Sequence, residues 1–458
     1  MSKVARILFL VVAFATISPA FAADESLLYV TDMHFDPLAD ASIVPKLMEQ
    51  PVSKWNEIFQ SSNKKELSGY REDTNFALWQ SALKAMKQTV SHPTTVVVGG
   101  DFFRHTFRAD FEKLYKEQNP GKTDIRSVYP VFIQKTIQFL VRGLVEQFPD
   151  AQFIPVIGNN DSTCGDYMVA LRDPFLKDFA NAWQQASKLS IPTSESSDFA
   201  SSGHYTTTLQ HNSKLKIIVG NDIFMTPQYN GRCGNSFVPP GQGELAWMDQ
   251  QLTAAEKAGQ KVWLITHVPP GVDVTRSLYK SMTGKKSAVS PMLKEDYNQR
   301  YLDILHRHAK DILIHFTAHN HFDEIRVPGG EVAVLMAPSI SPDKTNNPTF
   351  QVFDVDAKNM LLKNFANYSL DLSSSSTQTW EKIVDFDQAF QQKEVSLESV
   401  KAVEAAIQAG KFSDDYSQMV TSKGALAKTF FTLAKKAYVC GMSEMTLPTF
   451  QTCIDKED

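Results

Sequence analysis

Seven residues with metal-binding side chains each follow an apolar, strand-like run of this sequence. They are Asp32, His34, Asp101, Asn159, His267, His319 and His321. Residues two apart on an extended segment point the same way, so the two members of the D-x-H pair, and of the H-x-H pair, can converge on one point. Imidazole, carboxylate and amide oxygen together suit zinc, manganese or iron. The pattern therefore predicts a metal centre.

The number of ligands indicates two ions. Seven ligands are too many for one tetrahedral ion and suit two ions that share a carboxylate. Asp101 is the predicted bridge, because Gly99 and Gly100 precede it and let the backbone approach closely. We expect zinc, with manganese or iron as alternatives. Two such ions about 3.5–4 Å apart can generate a bridging hydroxide and clamp phosphoryl oxygens, so the expected reaction is hydrolysis of a phosphate ester.

The elements that must position these residues alternate between short β-rich runs and helical patterns. The runs are Leu27–Val30, Thr95–Val98, Phe153–Ile157, Ile217–Val219, Val262–Ile265, Ile312–Phe316 and Val332–Met336. Apolar residues at helical spacing predict helices over Thr74–Val90 and Val131–Gln147. This alternation predicts a layered α/β fold, in which chemistry collects at the carboxyl ends of the strands.

The pattern changes after Asp356, and residues 357–458 are predicted to form a small helical C-terminal region. Ser396 is placed to cap a helix that Gly410 ends, and Leu426, Phe430 and Leu433 mark another helix. The α/β domain is accordingly predicted over residues 23–356.

Residues 1–22 have the form of a signal peptide. A basic start precedes the apolar run Ile7–Ala15, and Ala20-Phe21-Ala22 is a small-x-small cleavage pattern. We expect a mature protein that starts near Ala23, is periplasmic or secreted, and has no membrane anchor. The formal net charge of −5 provides no field that would attract a nucleic-acid duplex. The oligomeric state stays open.

Four cysteines in an exported chain predict disulfide bonds, and three pairings are possible. We favour Cys440 with Cys453, which are close in sequence. The other pair would then be Cys164 with Cys233, which would tie two loops that flank the site.

The series D-x-H, G-D, G-N-x-D, H and H-x-H resembles the calcineurin-like metallophosphoesterase superfamily. Further motifs resemble the acid sphingomyelinase-like phosphodiesterases: His105 four residues after Asp101, His267-Val-Pro-Pro-Gly, and Ala337-Pro-Ser-Ile-Ser-Pro followed by Asn347-Pro-Thr-Phe-Gln-Val. The resemblance implies a four-layer α/β sandwich. It also implies that Asp32, His34, Asp101 and His321 hold one metal, that Asp101, Asn159, His267 and His319 hold the second, and that His105 donates a proton to the leaving group.

One departure from the family pattern concerns substrate choice. Asn160 stands where the family usually has a histidine, which leaves His105 as the acid and makes Asn160 a candidate substrate-binding residue. A phosphodiesterase is therefore expected, with a phosphomonoesterase or an endopolyphosphatase-like hydrolase as the alternative. A catalytically silent binding protein is the alternative from another class. A nucleotide, a phosphocholine-type head group and a polyphosphate all fit as the small phosphate-ester substrate.

Overall fold

Two six-stranded sheets form the centre of the molecule in the computed structural model, which describes residues 25–186, 195–231, 240–277, 289–374 and 378–456. The predicted signal peptide and Cys233 lie outside the described residues. The strands are β1 Glu25–Val30, β2 Thr95–Val98, β3 Gln152–Pro155, β4 Tyr205–Leu209, β5 Asn212–Val219, β6 Lys261–Ile265, β7 Val272–Asp273, β8 Ser290–Pro291, β9 Ile312–Thr317, β10 Glu324–Arg326, β11 Val334–Met336, β12 Thr349–Asp356, β13 Leu361–Leu370 and β14 Trp380–Asp385.

The first sheet has the order β14-β13-β12-β1-β2-β3. Its β1, β2 and β3 are parallel, with Leu28 opposite Val96 and Val96 opposite Phe153. All four residues of β2 are buried, as expected for a parallel strand that is covered on both faces. The carboxyl ends of these three strands lead into Asp32, Asp101 and Asn159 at one edge of the sheet.

The second sheet has the order β10-β11-β9-β6-β5-β4, and its central strands β5, β6, β9 and β11 are parallel. It packs face to face on the first sheet. Tyr29 of β1 lies edge-on to Phe316 of β9, with ring centroids 5.8 Å apart. The Tyr29 hydroxyl also donates to the Thr317 carbonyl at 2.8 Å. The ends of β6 and β9 thereby come to lie beside the ends of β1 and β2.

Helices cover both outer faces, which completes the layered α/β fold expected from the sequence. They are α1 Val44–Glu49, α2 Trp55–Gln60, α3 Phe76–Thr89, α4 Phe107–Gln118, α5 Tyr129–Gln147, α6 Pro174–Ala186, α7 Glu195–Ser202, α8 Pro240–Lys257, α9 Glu295–His308, α10 Phe386–Phe390, α11 Leu397–Gln408, α12 Ser413–Thr421, α13 Ala425–Ser443 and α14 Leu447–Asp455. The predicted helices of residues 74–90 and 131–147 correspond to α3 and α5. The Asn75 side chain caps α3 by accepting from the Leu78 amide.

The C-terminal region becomes helical later than the sequence indicates. β13 and β14 extend the first sheet, and helices follow only from Phe386 onward. Buried polar residues such as Asn367 break the apolar alternation of β13, because Asn367 donates to Asp323 inside the protein. The division of the chain at residue 356 therefore stays a prediction.

The C-terminal helices themselves agree with their predicted signals. Ser396 and Ser399 form a reciprocal capping box at the start of α11, and Gly410 follows that helix with φ of 81°. The predicted Cys440–Cys453 disulfide is present and joins α13 to α14. Among the helices described, none is both long enough and apolar enough to cross a membrane.

Candidate metal centre

All seven predicted ligands meet at the carboxyl ends of five strands, and each of them is wholly or largely buried. The first group of ligands surrounds one point. His34 Nε2 lies 3.4 Å from Asp101 Oδ2 and 3.1 Å from His321 Nε2. His321 Nε2 in turn lies 3.4 Å from Asp32 Oδ1. These four residues are the set expected to hold one ion.

The second group shares the same carboxylate oxygen. His267 Nε2 lies 3.4 Å from Asp101 Oδ2 and 3.2 Å from Asn159 Oδ1. Ligand atoms of Asp101, His267 and His319 all lie within 4.8 Å of one another. Asp101 Oδ2 therefore stands between the two groups, in the position that a bridging carboxylate requires.

The chemistry of this donor set fits two divalent ions. Bonds of about 2.0–2.2 Å from nitrogen or oxygen to a metal place neighbouring ligand atoms roughly 3 Å apart, which is the spacing within each group. Asp32 Oδ1 and His319 Nδ1 are buried polar atoms without a hydrogen-bond partner among the described residues. Buried polar groups normally have a partner, and a metal ion supplies one.

Three of the imidazoles are oriented by contacts to their Nδ1 atoms. His34 Nδ1 lies 3.0 Å from the Phe103 carbonyl, and His267 Nδ1 lies 2.7 Å from the Gly99 carbonyl. His321 Nδ1 lies 2.7 Å from the Asp343 carboxylate. A proton on Nδ1 leaves each Nε2 with a free lone pair directed at the site, as in most histidine–metal centres.

Backbone strain concentrates at the same positions. Five of the seven predicted ligands have positive φ angles; they are Asp32 at 45°, His34 at 39°, Asp101 at 52°, His319 at 76° and His321 at 68°. Each non-glycine residue held in this region costs about 1–3 kcal/mol, and such residues cluster at functional sites. The strained backbone at these five positions therefore lowers the stability of the fold, and it directs these side chains toward the site.

Glycines allow the loops to approach each other around Asp101. A Cβ on Gly158 would lie 2.1 Å from the Asp101 backbone nitrogen and 2.2 Å from its Oδ1. Gly100 has φ of 99°, and a Cβ there would lie 2.8 Å from the His267 ring. The close approach that the sequence indicated for the residues before Asp101 is present, and Gly158 adds a second such point.

Asp161 and Asn160 support Asp101 from behind. The Asp161 carboxylate accepts from the backbone amides of Asp101, Phe102 and Gly158 at 2.8–2.9 Å. Burial, with Asp101 nearby, raises the pKa of Asp161 to about 7. Asn160 donates from its side-chain amide to Asp101 Oδ2 at 2.9 Å, and from its backbone to Oδ1 at 2.8 Å. The contacts of Asn160 are therefore with the shared carboxylate, whereas its neighbour Asn159 lines the cavity above the site.

His105 stands beside the first group. Its ring stacks on that of His34, with centroids 3.9 Å apart. His105 Nδ1 lies 2.8 Å from Asp73 Oδ1, and the His105 amide donates to Asp73 Oδ2 at 3.1 Å. His105 is 31% exposed and lines the cavity. Asp73 thus fixes the ring through Nδ1, and Nε2, the atom that an acid would use, lies 3.9 Å from Asp343 Oδ2.

The electrostatics of the site favour positive charge. Burial opposes a charge on His34, but Asp32 and Asp101 outweigh it and raise the pKa of His34 to about 10. The pKa of His267 also rises to about 10 against burial, mainly because of Asp101. Burial lowers the pKa of His319 to about 3, so this imidazole stays neutral. A divalent ion can replace the protons that the carboxylates would otherwise hold on their histidine neighbours.

A cavity of about 630 Å³ opens over the site. Beyond the predicted ligands its walls carry the cations Arg71, Arg276 and Lys344 and the aromatic rings of Tyr167 and Phe322. This volume lies within the range of pockets that take small organic ligands. The cavity can therefore admit an ester larger than phosphate itself.

Sequence reasoning missed two carboxylates that orient imidazoles. Asp343 directly follows the Ala337–Pro342 motif, so its position was a usable signal. Asp73 lies in a polar stretch before α3 and carries no such signal. His315, which is not one of the predicted ligands, is buried on β9 with Nε2 3.0 Å from Thr266 Oγ1. Burial lowers the pKa of His315 to about 3.

Comparison with known proteins identifies relatives along most of the chain. The human acid sphingomyelinase-like phosphodiesterase 3b is 22% identical over 454 residues, covering 93% of this chain and 89% of the relative. Sphingomyelinase phosphodiesterase D of Dictyostelium discoideum is 28% identical over 331 residues, covering 69% and 66%. No family model matches the chain.

Among solved structures, the chain is similar to a dimetal phosphatase from Danio rerio. The identity is 10%, the TM-score is 0.43, and the match covers 75% of this chain and 95% of that one. The relatives in sequence confirm the resemblance that the motifs indicated: this chain is a metal-dependent phosphoric ester hydrolase related to the acid sphingomyelinase-like phosphodiesterases.

Proposed function

We propose that this chain is an exported two-metal phosphodiesterase that uses His105 as its general acid. The observation that carries the proposal is the position of Asp101 Oδ2, which lies 3.4 Å from Nε2 of both His34 and His267. One ion would be held by Asp32, His34, Asp101 and His321, and the other by Asp101, Asn159, His267 and His319. Zinc suits this mixture of imidazole and carboxylate, with manganese or iron as alternatives.

A pair of divalent ions in such a site would supply a hydroxide nucleophile and neutralise the phosphoryl oxygens. The chain's own residues supply positioning and a proton. Asn160 and Asp161 hold the Asp101 carboxylate and its backbone in place. Beyond the predicted ligands the cavity wall also carries Asp166 and Asp273, but its three cations outnumber these carboxylates, which favours entry of an anionic ester.

His105 is the proposed acid for the leaving group. As the phosphorus–oxygen bond to the leaving group breaks, the proton on His105 Nε2 passes to that oxygen and an alcohol departs. The neutral imidazole keeps its Nδ1 contact to Asp73, which therefore orients the ring in both states. An alkoxide leaving group, which alkyl phosphodiesters and alkyl phosphomonoesters share, depends on such a proton.

Two considerations support a diester as substrate. The relatives in sequence are named as phosphodiesterases. The cavity has room for organic groups beside the phosphorus atom. A diester of a nucleotide or of a phosphocholine-type head group would meet this description. A polyphosphate would be the substrate in the alternative interpretation, in which Asn160 marks an altered specificity.

Hydrolysis of two aryl esters by zinc-loaded protein tests the proposal. We expect a higher kcat/KM for bis(p-nitrophenyl) phosphate than for p-nitrophenyl phosphate, and loss of activity with a chelator. Asp101→Asn should abolish activity and the binding of at least one ion. The reverse substrate preference would indicate a monoesterase, and a chelator-insensitive protein inert on both esters would indicate a silent binding protein.

Export has its own test. Expression of the full chain in a bacterium, followed by fractionation and mass measurement, should yield a periplasmic or secreted product that starts near Ala23. A product that stays in the cytosol and keeps residues 1–22 would contradict export without touching the proposed chemistry.

A further inference from the structure

A buried ion pair on β10 connects two loops that carry predicted metal ligands. Arg326 Nη2 donates to Glu324 Oε2 at 3.0 Å, and both side chains are almost fully buried. Arg326 Nη1 donates to the Pro270 carbonyl at 2.8 Å. At the other end, Asn320 Nδ2 donates to Glu324 Oε1 at 3.3 Å. We call this chain of contacts from Asn320 to Pro270 the strut.

The strut spans the two loops that supply histidines to the second ligand group. Pro270 lies three residues after His267, and Asn320 directly follows His319. A backbone hydrogen bond of 2.8 Å from Ala318 to the His267 carbonyl joins the same loops close to the strands. The strut adds a side-chain connection further out, so the two loops are held at two points.

The first ligand group does not depend on the strut in the same way. His321 is held by Asp343 at 2.7 Å, and His34 is held by the Phe103 carbonyl at 3.0 Å. Neither His319 Nδ1 nor His321 Nδ1 has a hydrogen-bond partner of good geometry among the described residues, but His321 Nδ1 has the Asp343 carboxylate beside it. The placement of the His319 ring therefore depends on its own loop and on the neighbouring rings of His267 and Tyr167, at centroid distances of 5.2 and 6.3 Å.

Stability alone does not account for a fully buried ion pair. Desolvation of two charges often cancels their attraction, and apolar replacements of similar volume are often neutral or stabilising. The planar guanidinium, however, holds two acceptors in a fixed relation, which an apolar residue cannot do. The C-terminal helix α13 adjoins the pair, because Val327 donates its amide to the Met442 carbonyl at 2.6 Å.

We propose that Glu324 and Arg326 are positioning residues that set the placement of His319 relative to His267, and thereby the affinity of the second metal site. The inference rests on the proposed two-metal function. It assigns to the buried pair a larger role at the second site than at the first, because His321, which also adjoins Asn320, has the Asp343 carboxylate beside it as well.

The test is zinc titration of metal-free protein, with calorimetry and metal analysis after dialysis. The double variant Glu324→Leu/Arg326→Met removes the strut without leaving a lone buried charge. The control is Lys261→Met/Asp311→Leu, because this less buried ion pair of 2.9 Å lies at the opposite ends of β6 and β9. Unfolding of each metal-free variant in urea shows whether the fold is kept.

We expect the wild type and the control to bind two ions, and the strut variant to bind one ion normally and the second about 10- to 100-fold more weakly. If the double variant fails to fold, Arg326→Lys takes its place. This variant keeps the charge but not the two-pronged geometry, so it should weaken the binding of the second ion in the same way. If these strut variants bind two ions with wild-type affinity, the inference about the strut is overturned and the two-metal function is not. A wild type that binds fewer than two ions would overturn the two-metal function as well.

Discussion

Replacement of Asp73 by asparagine tests whether this carboxylate orients the proposed acid. Asp73 contacts the His105 ring at 2.8 Å and the His105 amide at 3.1 Å, and its side chain is 9% exposed. A hydrogen bond to a charged group contributes about 1.5–3 kcal/mol. Since about 1.4 kcal/mol of barrier is a factor of ten in rate, Asp73→Asn should lower kcat about 10- to 100-fold. KM should change little, because Asp73 lies behind His105 rather than against the substrate.

The assay compares two leaving groups. A diester that releases an alkoxide needs the proton of His105, whereas bis(p-nitrophenyl) phosphate releases a stable nitrophenolate and should lose much less activity. Asp110→Asn is the control, because Asp110 pairs with Arg104 at 2.8 Å next to the same loop without contact to the His105 ring. The double variant Asp73→Asn/His105→Ala should be no slower than His105→Ala alone.

Two results would refute this reasoning. One is an equal loss on both diesters, which would indicate a general disturbance of the site. The other is an additive loss in the double variant, since residues that act through one another do not add.

The remaining predictions concern metal affinity, close packing and acid stability. Asp343→Asn should weaken metal binding about 10- to 100-fold through its contact with a ligand histidine, measured by zinc titration. Gly158→Ala should destroy the site, since its Cβ would lie 2.1 Å from the Asp101 backbone nitrogen. The control Gly243→Ala in α8 places a Cβ with no atom within 4 Å. This control should raise the free energy of unfolding, measured in urea, by up to about 1 kcal/mol. Burial lowers the pKa of His315 to about 3, so the unfolded chain binds the extra proton below about pH 6.5. Metal-free wild type should therefore lose about 2 kcal/mol between pH 7 and pH 5 relative to His315→Gln, and equal pH dependence of the two proteins would contradict this.

The sequence alone determined the strands and what stands at their ends. Each of the seven predicted apolar runs corresponds to a strand of the structure, and each predicted ligand follows such a run within a few residues, so local pattern was enough for these strands. The expectation that Asp101 is shared also followed from its place beside two glycines, and Asp101 Oδ2 lies at 3.4 Å from a histidine of either group. The Ser396 cap and the Cys440–Cys453 disulfide were readable for the same reason, because both signals are local.

Only the tertiary structure decided which groups orient these ligands. Asp73 reaches His105 across 32 positions, and the His34 and His321 rings meet across 287. No periodic pattern in the sequence indicates such pairs, because they depend on which strand ends the sheets bring together. The strands β13 and β14 escaped prediction for a related reason, since Asn367 looks like a loop residue until Asp323 is placed beside it. The sequence decides which residue types follow each strand, whereas contacts between distant side chains form only once the two sheets have packed.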